Sequence, residues 1–95
     1  MQFEFLTELN LIGNNLKQMA PLTNFPNLKL LNISNNCLQH FPAFSETIEN
    51  IDASYNQIID IDESIINAKK LTTLTANSNK IRHLPLLPPN LTKLH

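Results

Sequence analysis

The 95-residue sequence predicts an α/β solenoid: a short, curved stack of small repeats. One parallel sheet is expected on the concave face, with mostly irregular, 3-10 or short-helical returns on the convex face. Three observations predict this. The stretch Leu28 to Phe41, LKLLNISNNCLQHF, is apolar at Leu28, Leu31, Ile33, Leu38 and Phe41, with an asparagine at Asn36. Its template, L-x-x-L-x-L-x-x-N-x-L-x-x-L, recurs. Leu6, Leu9, Leu11, Asn14, Leu16 and Met19 fill it, as do Ile48, Ile51, Ala53, Asn56, Ile58 and Ile61, and Leu71, Leu74, Ala76, Asn79, Ile81 and Leu84. The copies start 22, 20, 23 and 20 residues apart, the last opening at Leu91 and Leu94.

The template has a physical reading. Its L-x-L pair has period two, so both apolar side chains point inward from a short strand. One such strand buries little, so copies must stack and share a core. The asparagine stands where the chain turns, and its amide both donates and accepts. A column of Asn14, Asn36, Asn56 and Asn79 therefore satisfies turn backbone groups that stacking would bury unpaired.

The elements follow in order. Residues 1 to 5 resemble the tail of an earlier repeat, with Phe3 three before Leu6, as Phe25 is three before Leu28. Strands are expected near Glu8 to Leu11, Leu30 to Ile33, Asn50 to Ala53 and Thr73 to Ala76. Pro21 and Pro26 limit the first return to a helical turn or 3-10 segment. The second return is short, with Phe41 and Phe44 as core plugs. The third, Asp62 to Lys70, predicts a helix of about two turns, capped by Asp62, with Ile65 and Ala68 inward. The fourth, Leu84 to Leu91, is proline-dense and predicts extended or polyproline-like chain.

Four full copies and a partial fifth resemble the leucine-rich repeat family. The resemblance covers nearly the whole chain, residues 1–95, as one domain, and implies a role in protein binding. LPLLPPNLTKL, Leu84 to Leu94, is similar to the short repeats of bacterial effectors, whereas Asp62 to Leu71 is similar to longer eukaryotic repeats. This mixture suggests a bacterial, eukaryotic-like repeat protein, and the partial repeats at both ends lead to the expectation of a piece of a longer solenoid.

Composition removes several functions. Net charge is −1, and 16% of residues are charged, which provides no basic stripe for nucleic acid. No apolar run reaches the roughly 18 residues of a membrane helix, and MQFEF is no secretory signal. Cys37 is the single cysteine, so no intrachain disulfide forms. The cysteine-rich caps of extracellular relatives are not visible. The expected setting is therefore intracellular, in the cytoplasm, or in a host cytoplasm for a secreted effector. The acceptor patterns at Asn32 and Asn90 are those expected by chance in an asparagine-rich chain.

No catalysis, cofactor or metal is expected. Cys37 and His40 are three apart, but Cys37 stands where other copies have Asn15, Gln57 and Lys80, and His83 matches His40. No third, orienting group is evident. Asp52, Asp60, Asp62 and Glu63 lack a glycine-bearing loop that would converge them on a cation. The one glycine, Gly13, offers no phosphate cradle.

The candidate site is the concave face. Its non-core positions form the rows Glu8, Leu30, Asn50, Thr73, Lys93; then Asn10, Asn32, Asp52, Thr75, His95; then Ile12, Ser34, Ser54, Asn77. Tyr55 follows the third strand, where other copies have Gly13, Asn35 and Ser78. An exposed aromatic there is a candidate anchor for a protein partner. The binding surface is thus read as Tyr55, Asp52, Asn32, Ser34, Asn35, Leu30, Asn50, Thr73, Thr75 and Asn77. The alternative is a structural fragment that self-associates through open repeat ends, where Phe3, Leu6, Leu91 and Leu94 have no visible cover.

Overall fold

The computed structural model describes residues 4–94. Phe3, His95 and what was expected of them lie outside those residues. Five short strands form one sheet: β1 (Glu8–Asn10), β2 (Leu30–Asn32), β3 (Asn50–Asp52), β4 (Thr73–Thr75) and β5 (Lys93–Leu94). Every neighbouring pair is parallel, in sequence order. The register aligns equivalent template positions: Leu9 opposite Leu31, then Ile51, Leu74 and Leu94. Each of β1 to β4 thus delivers one central apolar side chain to the same core line, with its neighbours facing outward, whereas Leu94 of the two-residue β5 is exposed. Ile33, Ile51, Ala53, Leu71 and Leu74 are completely buried.

The returns obey a spacing of three. Phe25 N–H donates to Leu22 O at 2.9 Å, and Leu28 N–H to Phe25 O at 3.1 Å. Forty-three residues on, Ala68 N–H donates to Ile65 O at 2.9 Å, and Leu71 N–H to Ala68 O at 3.0 Å. In 3-10 geometry, residues three apart eclipse. Leu22, Phe25 and Leu28 therefore point one way into the core, as do Ile65, Ala68 and Leu71, and all six are buried.

This corrects one expectation. The third return is a 3-10 helix, Glu63–Asn67, and not a two-turn α-helix. Asp62 caps it as expected, accepting the Ser64 N–H at 2.9 Å, but Lys69 and Lys70 lie beyond its last turn. The cause is the three-residue apolar spacing, which a 3.6-residue turn would smear around the helix. The first return holds a 3-10 turn, Leu22–Asn24. In the second, Phe41 and Phe44 stack with centroids 4.9 Å apart, both buried. Residues 84–87 carry no regular secondary structure.

Candidate functional site

Adjacent positions of the outer sheet face form a hollow lined by Glu8, Asn10, Leu30, Asn32, Asn50 and Asp52, floored by Leu9 and Leu31. Asn50 is exposed and Leu30 is 40% exposed, whereas Thr73 and Thr75 are half-buried. Asn35 and Asn77 are exposed in the turns after β2 and β4.

The second row has a structural duty that the sequence reading missed. Asn10 Oδ1 accepts the Ile12 N–H at 3.1 Å, Asn32 Oδ1 the Ser34 N–H at 3.1 Å, and Asp52 Oδ1 the Ser54 N–H at 3.0 Å. These are side-chain turns that stop each strand. Their signal was present, as Asn or Asp recurs at one repeat position in three successive copies. Because a backbone N–H can bond only the amide oxygen, the NH2 groups of Asn10 and Asn32 take no part in these turns.

Ser34 is a correction. Strand alternation predicts it on the binding surface, but it is 6% exposed, and its hydroxyl donates to Asn32 Oδ1 at 2.8 Å. β2 ends at Asn32, however, so the alternation stops before it reaches Ser34. Ser54 is equally buried, and its Oγ has no hydrogen-bond partner among the described residues.

Tyr55 is 59% exposed and has φ +58°. Gly13, Asn35 and Ser78, at the same repeat position, have φ +69°, +57° and +57°. Left-handed backbone is easy for glycine, tolerable for asparagine and costly for a bulky side chain. Gly13 and Asn35 were the sequence signal for it. The turn imposes this conformation on every copy, and Tyr55 adopts it with its side chain in solvent.

Beneath the face runs the asparagine ladder. Asn36 Nδ2 donates to Leu11 O at 2.9 Å, and its Oδ1 accepts from Leu16 N–H at 3.0 Å. Asn56 Nδ2 donates to Ile33 O at 3.0 Å, and its Oδ1 accepts from Leu38 N–H at 3.1 Å. Asn79 Nδ2 donates to Ala53 O at 2.9 Å, and its Oδ1 accepts from Ile58 N–H at 3.0 Å. Each amide reaches back one repeat. Asn14 has no repeat behind it among the described residues; it is exposed and donates locally to Ile12 O at 3.2 Å.

The opposite edge carries a second row. His40, Asp60 and His83 form parallel bridges, and His40 Nδ1 lies 3.1 Å from Asp60 Oδ1. Sequence reasoning matched the two histidines but not the aspartate between them. His40 thus faces Asp60, and no hydrogen bond joins it to Cys37 among the described residues. Ser64, through its hydroxyl and then its backbone N–H, holds the Asp62 carboxyl below its ordinary range.

The profile of the family described as Leucine Rich Repeat matches residues 27–46, which span β2, its ladder asparagine and the Phe41–Phe44 return. The chain belongs to the leucine-rich repeat family. It is 40% identical over 86 residues to the human PH domain leucine-rich repeat-containing protein phosphatase 1, covering 84% of this chain and 5% of that protein. The rat phosphatase gives the same identity and coverage. A protein of Acanthamoeba polyphaga mimivirus, named as a leucine-rich repeat protein, is 35% identical over 79 residues, covering 83% of this chain and 18% of its own. No solved structure matches the chain significantly. This leucine-rich repeat chain therefore spans only a small part of the curated relatives it matches.

Proposed function

We propose that the chain is a protein-recognition module that binds through its concave face and performs no catalysis of its own. Tyr55 carries the reading. It spends an exposed aromatic ring on a left-handed position where neighbouring copies place Gly13, Asn35 and Ser78. Backbone strain concentrates at functional sites, and large rigid side chains are the usual anchors of protein interfaces. Leucine-rich repeat domains generally mediate protein–protein interaction, which agrees with this reading. The phosphatase named among the relatives is matched over 5% of its length, so its activity is not carried over.

The test uses two substitutions. Tyr55→Asn places at this position the residue that Asn35 shows to suit it. It should weaken a captured protein partner roughly thirtyfold, or about 2 kcal/mol, while circular dichroism stays unchanged. Lys80→Ala, on the exposed outer loop, should cost less than about 0.5 kcal/mol. Equal losses from both, or loss from Lys80→Ala alone, would move the binding surface off the concave face.

A further inference from the structure

The hollow between β1 and β3 holds a charge that the described residues leave unbalanced. Glu8 on β1 and Asp52 on β3 both line it, and no lysine, arginine or histidine does. The ion pair among the described residues joins His40 to Asp60 and involves neither. Leu30 lies on the strand between them, 40% exposed. Asp52 stands two residues further along the sheet than Glu8, so with strands about 4.8 Å apart and a rise of about 3.3 Å per residue the two acids lie roughly 12 Å apart, diagonally across Leu30 and Asn32. The Asp52 carboxylate is also pre-oriented. Oδ1 is held by the Ser54 N–H at 3.0 Å, which leaves Oδ2 as an acceptor outside the turn. Asn32 is its neighbour in the same row, with Asn10 one strand beyond, and the turns leave the NH2 groups of both unused.

We propose that this hollow takes a basic side chain, arginine or lysine, carried by an extended segment of the partner; this rests on the concave-face reading above. The methylene stem lies over Leu30, as long cationic side chains cover apolar surface while their heads stay polar. The cationic head meets Asp52 Oδ2 and the Glu8 carboxylate, a charge-assisted contact stronger than a neutral one. Carbonyls of the segment accept from the Asn10 and Asn32 amides. Because the turns already fix the second-row side chains, little rotamer freedom is lost on binding.

A phage-displayed random dodecapeptide library selected on the full chain tests this. The expected result is enrichment of arginine or lysine at one fixed position in the selected peptides. Replacing that residue by glutamine in a synthetic peptide should weaken binding about tenfold, and less at high salt. The double variant Glu8→Gln/Asp52→Asn should lose the preference while staying folded, since Asn10 and Asn32 make the same turn with an amide. Selected peptides without a basic preference, no selected peptides, or a preference that survives in the double variant would overturn the proposal. If peptides without that preference still lose binding on Tyr55→Asn and Leu30→Ser, the basic-side-chain assignment alone falls. Peptide binding indifferent to Tyr55→Asn, Leu30→Ser and the double variant would overturn the concave-face reading itself.

Discussion

Asn14 and Asn56 occupy the same place in the same template, yet their situations differ. Asn56 is 7% exposed and bonds the turn of the preceding repeat. Asn14 is exposed and reaches only its own turn. The contrast extends to the apolar positions: Ile48, Ile51 and Ile58 are completely buried, whereas Leu6, Leu9, Leu11 and Leu16 are partly buried. A template residue acquires its energy from the neighbours stacked on it, not from its own repeat. This is the quasi-one-dimensional behaviour of solenoids, where stability sums repeats and their interfaces.

The sharpest test of this contrast is the core line. Ile51→Ala should cost about 4 kcal/mol, near the upper range for a fully buried isoleucine. Leu9→Ala, opposite a single neighbouring strand, should cost roughly half as much. Urea denaturation giving equal costs would break the comparison. The ladder comes next. Asn56→Ala should destabilise by about 2 kcal/mol, because it leaves buried carbonyl and N–H groups unpaired. Asn14→Ala should cost less than about 0.5 kcal/mol, as an exposed site does. An unchanged denaturation midpoint for Asn56→Ala would remove the ladder's structural role.

The left-handed row provides a change of opposite sign. Tyr55→Asn should stabilise the fold by about 0.5–1 kcal/mol, since asparagine tolerates positive φ better than a bulky aromatic does. A lower melting temperature for Tyr55→Asn would show that the ring contributes packing that outweighs the strain. The smallest effect belongs to Asp62. Its folded pKa lies below the ordinary value of 3.8, so its contribution is present above that value and fades as pH falls through the folded one. The stability gap between wild type and Asp62→Asn should therefore be widest near neutral pH and close in acid. Parallel urea titrations at descending pH would show it, and a gap that widened in acid would contradict the assignment.

Much of the fold was legible because two periods write themselves into the sequence. The L-x-L alternation located β1 to β4, and the recurring asparagine located the turns. The returns were harder to read. Ile65 and Ala68 are three apart, a spacing that suits both an α-helical face and a 3-10 turn. Leu71, the next in line, decides between them, but in the template it opens the following repeat. At the site, Leu30, Asn50 and Asp52 were placed on the hollow by alternation alone. Ser34 was misplaced because alternation was carried past the end of a three-residue strand. The left-handed row was obscured by Tyr55 itself, which hides the pattern that Gly13 and Asn35 display.

The backward reach of the ladder gives the molecule a direction in time. Asn36 completes the turn made at Leu11, Asn56 the one at Ile33, and Asn79 the one at Ala53. A ribosome delivers the amino end first, at about 5–20 residues per second. The Ile33 and Ala53 carbonyls are held within their own repeats by Asn36 and Asn56, and each waits for its successor's asparagine, some twenty residues later, to complete its bonding. Native structure follows synthesis one repeat behind, for one to a few seconds at each step. During that interval the most recently made turn is the part of the nascent chain that a chaperone would find unfinished.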